Sequence, residues 1–268
     1  MMILSDFFSP KDPAHESELF SIFHLIFLGL SLILLIVLLN SFKNSSKNSI
    51  KKYLRFMTFF IFILEAIKII WETDIDILNG DGFNFGGLLP LYLCSMFIFT
   101  LPFASYGKKK VRRSALGFLA SLGIVGGFSN LIFPQMLNLY PFFHFATFIS
   151  LTFHFLMAFT GLLIVFTNYI TLKKEDYYLA FIPTLIFALI VIPIAYYLES
   201  IGYENDYMLL LHGFGVPLLS NLGEILYNNN LQWLFTIIMM IVFFGITALM
   251  IFLMSKIQKI ISKNKVAR

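Results

Sequence analysis

Cys94 is the one thiol of this chain, and it stands in an apolar stretch, GGLLPLYLCSMFIFTLP, over Gly86 to Pro102. A thiol in such surroundings can act as a nucleophile or pack as a small buried hydrophobe. His154 lies in the middle of another apolar run, between Phe153 and Phe155, where a neutral imidazole still needs partners for both nitrogens. Glu65 and Lys68 are three residues apart and share one helical face, as a structural ion pair or as part of a polar pocket. His24 and Asn130 are further polar residues inside apolar runs, whereas His144 and His212 lie near segment ends and are expected to be solvated. A single cysteine excludes an internal disulfide and a cysteine-based zinc site. No phosphate loop, HExxH or GxSxG occurs, and neither a metal nor a cofactor is implied.

The elements that position these residues are membrane spans. Hydrophobic residues make up 59% of the chain and charged ones 13%, against roughly 25% in an ordinary soluble domain. The expected fold is all-α, a polytopic helical membrane protein with seven transmembrane helices in one domain, residues 19–254. The spans run from about Leu19 to Phe42, Tyr53 to Trp71, Asn84 to Tyr106, Ser114 to Met136, Phe143 to Tyr169, Tyr177 to Leu198 and Leu231 to Met254. Pro183 and Pro193 predict kinks in the sixth. Residues 1–18 form a short acidic tail with no basic n-region, and 255–268 a basic tail. The connection at 199–230 is long, and its apolar run Tyr207 to Leu222, broken by Gly213, Gly215 and Pro217, suits a re-entrant or interfacial lid. Acidic or neutral breaks alternate with basic ones, which places the amino terminus outside and the carboxyl terminus in the cytoplasm. The net charge of +4 therefore sets orientation and does not point to nucleic acid.

This topology puts Cys94 and His154 at one depth, roughly 15 Å from the outer ends of their spans at the helical rise. Glu65, Lys68, His24 and Asn130 also fall in outer halves, so one pocket open to the outer side is expected. Pro90 removes a helical hydrogen bond to Gly86, and Cys94 stands one helical turn further on. Tyr92, beside the thiol, and Tyr207, at the start of the lid, are counted with the supporting groups.

Five patches carry a resemblance: FSIFHL at Phe20 to Leu25, LPLYLC at Leu89 to Cys94, LIFPQ at Leu131 to Gln135, FHFLMAF around His154, and NDYMLLL at Asn205 to Leu211. In this order and spacing the chain resembles the YwaF-like bacterial integral membrane proteins, which are related to the animal transmembrane-protein-164 family. The resemblance implies a multi-pass protein of the bacterial plasma membrane. From the animal relatives it implies an acyltransferase of lipid metabolism, with Cys94 as nucleophile and His154 as its base. The family commonly has His where Tyr92 stands here, and in the animal proteins the cysteine directly follows a proline. The expected activity is acyl transfer or acyl hydrolysis on a membrane lipid, with the lipid as partner. The alternative is a small-solute transporter or ligand-binding protein whose polar pocket is Glu65, Lys68, His24 and His154.

Overall fold

A computed structural model describes residues 7–9, 16–78, 88–203, 206–213 and 217–266. Its long elements are all helices: α1 (Ile22–Phe42), α2 (Lys47–Leu78), α3 (Met96–Tyr106), α4 (Lys109–Phe118), α5 (Ile124–Ile132), α6 (Phe145–Phe166), α7 (Asp176–Leu179), α8 (Ile182–Ser200), α9 (Pro217–Asn228) and α10 (Gln232–Val266). Among the described residues, five helical stretches are long and apolar enough to cross a membrane: Ile22–Phe42, Lys109–Asn138, Phe145–Phe166, Asp176–Ser200 and Gln232–Lys263. The second and third expected spans are not among them, for different reasons. Helix α2 is 32 residues long, but its apolar part carries Arg55, Glu65, Lys68 and Glu72. Helix α3 has only 11 residues.

The packing is arranged around α4, α5 and α6. In α1, by contrast, only His24, Ser31 and Leu35 are buried, while Phe23, Ile26, Leu30, Ile33 and Ile36 are exposed. An all-round apolar helix with such a surface is suited to lipid contact. The expected fourth span, about Ser114 to Met136, falls on helix from Lys109 to Ile132, which is continuous only through a π turn at Leu119–Gly123. The wider turn disturbs the regular ladder, and the Ser121 hydroxyl donates to the Gly117 carbonyl at 2.7 Å. Glycine makes the contact with α6 possible. A Cβ on Gly161 would lie 2.3 Å from the Leu119 carbonyl oxygen, and one on Gly127 would lie 2.6 Å from the Ala158 nitrogen.

The third span departs most from expectation. Residues 89–95 run through bends and turns, and α3 begins only at Met96. Successive i to i+3 bonds run from Ser95 to Tyr92, Met96 to Leu93, Phe97 to Cys94 and Ile98 to Ser95. No helical turn therefore links Pro90 to Cys94: the proline gives no amide to the ladder and its ring crowds the preceding turn, and here the chain tightens instead. The expected carbonyl defect at Gly86 lies outside the described residues. In the sixth span, Pro183 occupies the first turn of α8 and starts the helix without kinking it; Pro193 lies inside. Helix α10 continues through most of the basic tail, to Val266.

The long connection after α8 turns into the bundle. Tyr207 to Leu209 form a 3-10 turn, and Tyr207, Met208, Leu210 and Leu211 are fully buried. The Asp206 carboxylate holds the turn by accepting the Leu211 amide at 2.8 Å. Beyond it, α9 packs on α10, and Gly223 lets the His212 backbone approach, where a Cβ would lie 2.3 Å from the His212 carbonyl oxygen.

At the opposite end, Arg113 donates to both carboxylate oxygens of fully buried Asp176, each at 2.6 Å. Asp176 also accepts the Lys173 amide at 2.6 Å. Removing the guanidinium would leave a buried charge without its counterion, so Arg113→Ala is expected to cost about 3 to 5 kcal/mol. Thermal unfolding of the detergent-solubilised protein checks this, with a fall in midpoint as the expected result.

Candidate functional site

Helix α2 presents Glu65, Lys68 and Glu72 at i, i+3 and i+7, one above the other on a single face. The Lys68 ammonium lies 3.3 Å from Glu65 Oε1 and 3.8 Å from Glu72 Oε2. Glu65 is buried, and Lys68 is largely covered. Around this cation the chain gathers other groups. Lys68 is within electrostatic reach of Cys94, Tyr92 and His154, which come from two other parts of the fold.

Cys94 is half-buried in the turn that leads into α3. Ser95 lies beside its sulfur, and Lys68 and Glu65 are its charged neighbours. His154 is not among those neighbours, so Lys68 is the group that thiol and imidazole share.

His154 projects from the middle of α6 and is almost fully buried. Its Nδ1 donates to the Ser150 carbonyl at 2.7 Å, which leaves Nε2 as the acceptor nitrogen of a neutral ring. The Ser150 hydroxyl in turn donates to Asn130 Oδ1 at 3.3 Å. Asn130 on α5 thus steadies the turn of α6 that aims the imidazole, across the close approach made by Gly127. Helix α3, which follows the turn that carries Cys94, also touches α6. Phe97, three residues after the thiol, meets Phe153, one before the imidazole, edge to face at 5.6 Å.

Tyr92 stacks edge to face on Tyr207 at 5.2 Å, so the turn at Tyr207 to Leu209 closes against the thiol-bearing loop. His24 stands elsewhere. Its Nε2 donates to the Leu131 carbonyl at 2.9 Å, and its Nδ1 accepts the Phe20 amide at 3.1 Å. Both nitrogens are taken by backbone, and the residue pins α1 to the end of α5. His144 is fully buried, contrary to the expected solvation. It caps α6 by accepting the Ala146 amide, donates to the Ser9 carbonyl, and stacks on Tyr140 at 4.4 Å. His212 is partly buried and pairs with Glu199 at 2.8 Å. Among the described residues, no three of His, Cys, Asp and Glu are grouped to hold a metal ion.

Sequence reasoning missed Ser95, Ser150 and Glu72. Glu72 had a signal in its heptad spacing from Glu65, and Ser150 stands four residues before His154, where a helical histidine reaches back to the carbonyl.

The fold and this cluster define a multi-pass α-helical membrane protein with a polar, thiol-containing centre inside its bundle. A profile of the TMEM164 family matches residues 19–257, and the chain belongs to that family. The match spans every residue of the cluster. No curated protein and no solved structure matches the chain.

Proposed function

We propose that the protein is a lipid acyltransferase or acyl hydrolase with Cys94 as nucleophile and His154 as general base. The observation that carries this reading is Lys68, which is shared by a thiol at a helix start and by an imidazole tied at Nδ1. His154 Nε2 takes the thiol proton, and the thiolate, held by Lys68 and the α3 start, attacks an ester carbonyl of a phospholipid. The ester C–O bond breaks, the leaving alcohol takes the proton from the imidazolium, and the acyl group stays on sulfur as a thioester. A lipid hydroxyl, or water, then gives its proton to His154 and attacks the thioester, and the thiol is released.

In this reading the chain crosses seven times, with α2 and the segment that ends in α3 added to the five apolar stretches. The ion-paired face of α2 turns inward, where a charge costs least. The amino terminus lies outside, the cluster opens to the outer leaflet, and the run from Tyr207 to Leu222 serves as its lid. The chain is a bacterial YwaF-like member of its family, in the plasma membrane. The transporter reading rests on the same Glu65, Lys68 and His154, but it loses His24, whose nitrogens are both occupied.

The experiment is a trap. Protein reconstituted in vesicles of phospholipid with radiolabelled acyl chains is denatured during turnover and resolved on a gel. A labelled band that hydroxylamine removes at neutral pH is the expected thioester. Acyl transfer without any label on the protein would overturn the covalent route, and solute uptake without acyl transfer would favour the transporter.

A further inference from the structure

The basic end of the bundle holds a cavity of about 610 Å³ that the thiol chemistry does not use. Six cations line it, Lys47 and Lys51 from α2 and Lys109, Lys110, Arg112 and Arg113 from α4, and no acid does. Two of the six have protein partners. Arg113 is matched by Asp176 and Glu175, and Arg112 lies over the Tyr169 ring at 5.2 Å and donates to its hydroxyl. The four lysines have no ion pair or hydrogen bond among the described residues.

Both helices begin at this cavity, and neither has an acid in its first turn, as a helix start prefers. Ser46 caps α2 by accepting the Ser49 amide at 3.1 Å. Helix α4 has no such cap: Lys108 makes no side-chain bond, and Lys109 is held at a left-handed φ of 45°. The first amides of α4 are therefore donors at the cavity edge, beside four unmatched ammonium groups. Orientation in a membrane needs basic residues on one side. It does not need them to converge on two helix starts at one cavity, where an anion among them would relieve the repulsion that water and salt leave.

We propose that this cavity binds a phosphate-bearing anion, with the headgroup of an acidic phospholipid as its occupant. Lys47 is 18 residues before Glu65 on α2, roughly 27 Å along the helix, so the site is separate from the thiol cluster.

The test uses the full chain in detergent and native mass spectrometry with phosphatidylglycerol and phosphatidylcholine. Phosphatidylglycerol is expected to be retained in preference. Lys51→Ala with Lys110→Ala should weaken its binding about 10- to 30-fold, as should Lys47→Gln with Lys109→Gln. Lys51→Arg with Lys110→Arg should keep binding, and Lys259→Ala with Lys263→Ala, which removes equal charge from α10, should change it less than about twofold. Equal losses from cavity and α10 variants would overturn the site in favour of diffuse surface charge, and so would the absence of a phosphatidylglycerol preference together with no binding of inorganic phosphate. Phosphate binding that depends on the cavity lysines, without lipid preference, would keep the anion site and assign it to a soluble phosphate compound. Gel filtration and thermal unfolding identify a variant that fails to fold, and the second lysine pair then decides.

Discussion

Cys94→Ala is expected to lower lipid acyl transfer at least about 1,000-fold and to leave the bundle folded. The residue is half-buried, and alanine removes only the sulfur, so no large cavity forms and no charge loses its partner. The Tyr92 to Ser95 backbone bond and the bonds that follow it do not involve the thiol, so the lead-in to α3 survives. His154→Gln should fall between the variant and the parent, with a loss of about 100- to 10,000-fold, the usual worth of a general base. It should also slow the formation of the labelled thioester. Full activity in Cys94→Ala would sink the nucleophile assignment, and the cluster would then have to act through Lys68 and His154 without a covalent step.

Helix order and the membrane character were legible because apolar runs separated by charged breaks leave little choice of element. Phe97 meets Phe153 edge to face, but the depth of Cys94 was counted along a straight helix, and the chain just before α3 is not one. What the sequence hid was local. GGLLPLYLCS has the composition of a span, yet residues 89–95 form bends and turns, because the proline breaks the ladder and helix resumes only at Met96. The π turn at Leu119–Gly123 has no period of its own to read, and it depends on a glycine one helix away, Gly161. Burial of His144 was invisible for a similar reason. Its surroundings, Tyr140, Trp71 and Phe145, are assembled from separate helices and loops, and a position near a helix end says nothing about what the next helix lays over it. His24 was placed with the polar pocket by depth alone, but depth does not fix direction around the bundle.

Lys68→Met is expected to cost about 3 to 5 kcal/mol, because buried Glu65 would lose its counterion. That loss alone does not separate a structural ion pair from a working one, so the decisive protein is Glu65→Gln with Lys68→Met. This pair removes both charges, and it should recover most of the stability that Lys68→Met loses. If Lys68 only joins α2 to its neighbours, the double variant regains activity with its fold. If Lys68 holds the charge of the thiolate, the double variant folds and still turns over about 100-fold more slowly, comparable to the loss of one electrostatic donor in an active site. The chain offers a readout that a structural role would not move. Cys94 is the only cysteine, so its alkylation rate by iodoacetamide reports one thiolate population without a labelled background. Alkylation should slow in the folded double variant and keep its parental rate in Lys68→Arg, where the cation persists. An unchanged rate in the double variant would return Lys68 to a packing role and leave the start of α3, with Ser95, as the whole of the thiol's activation.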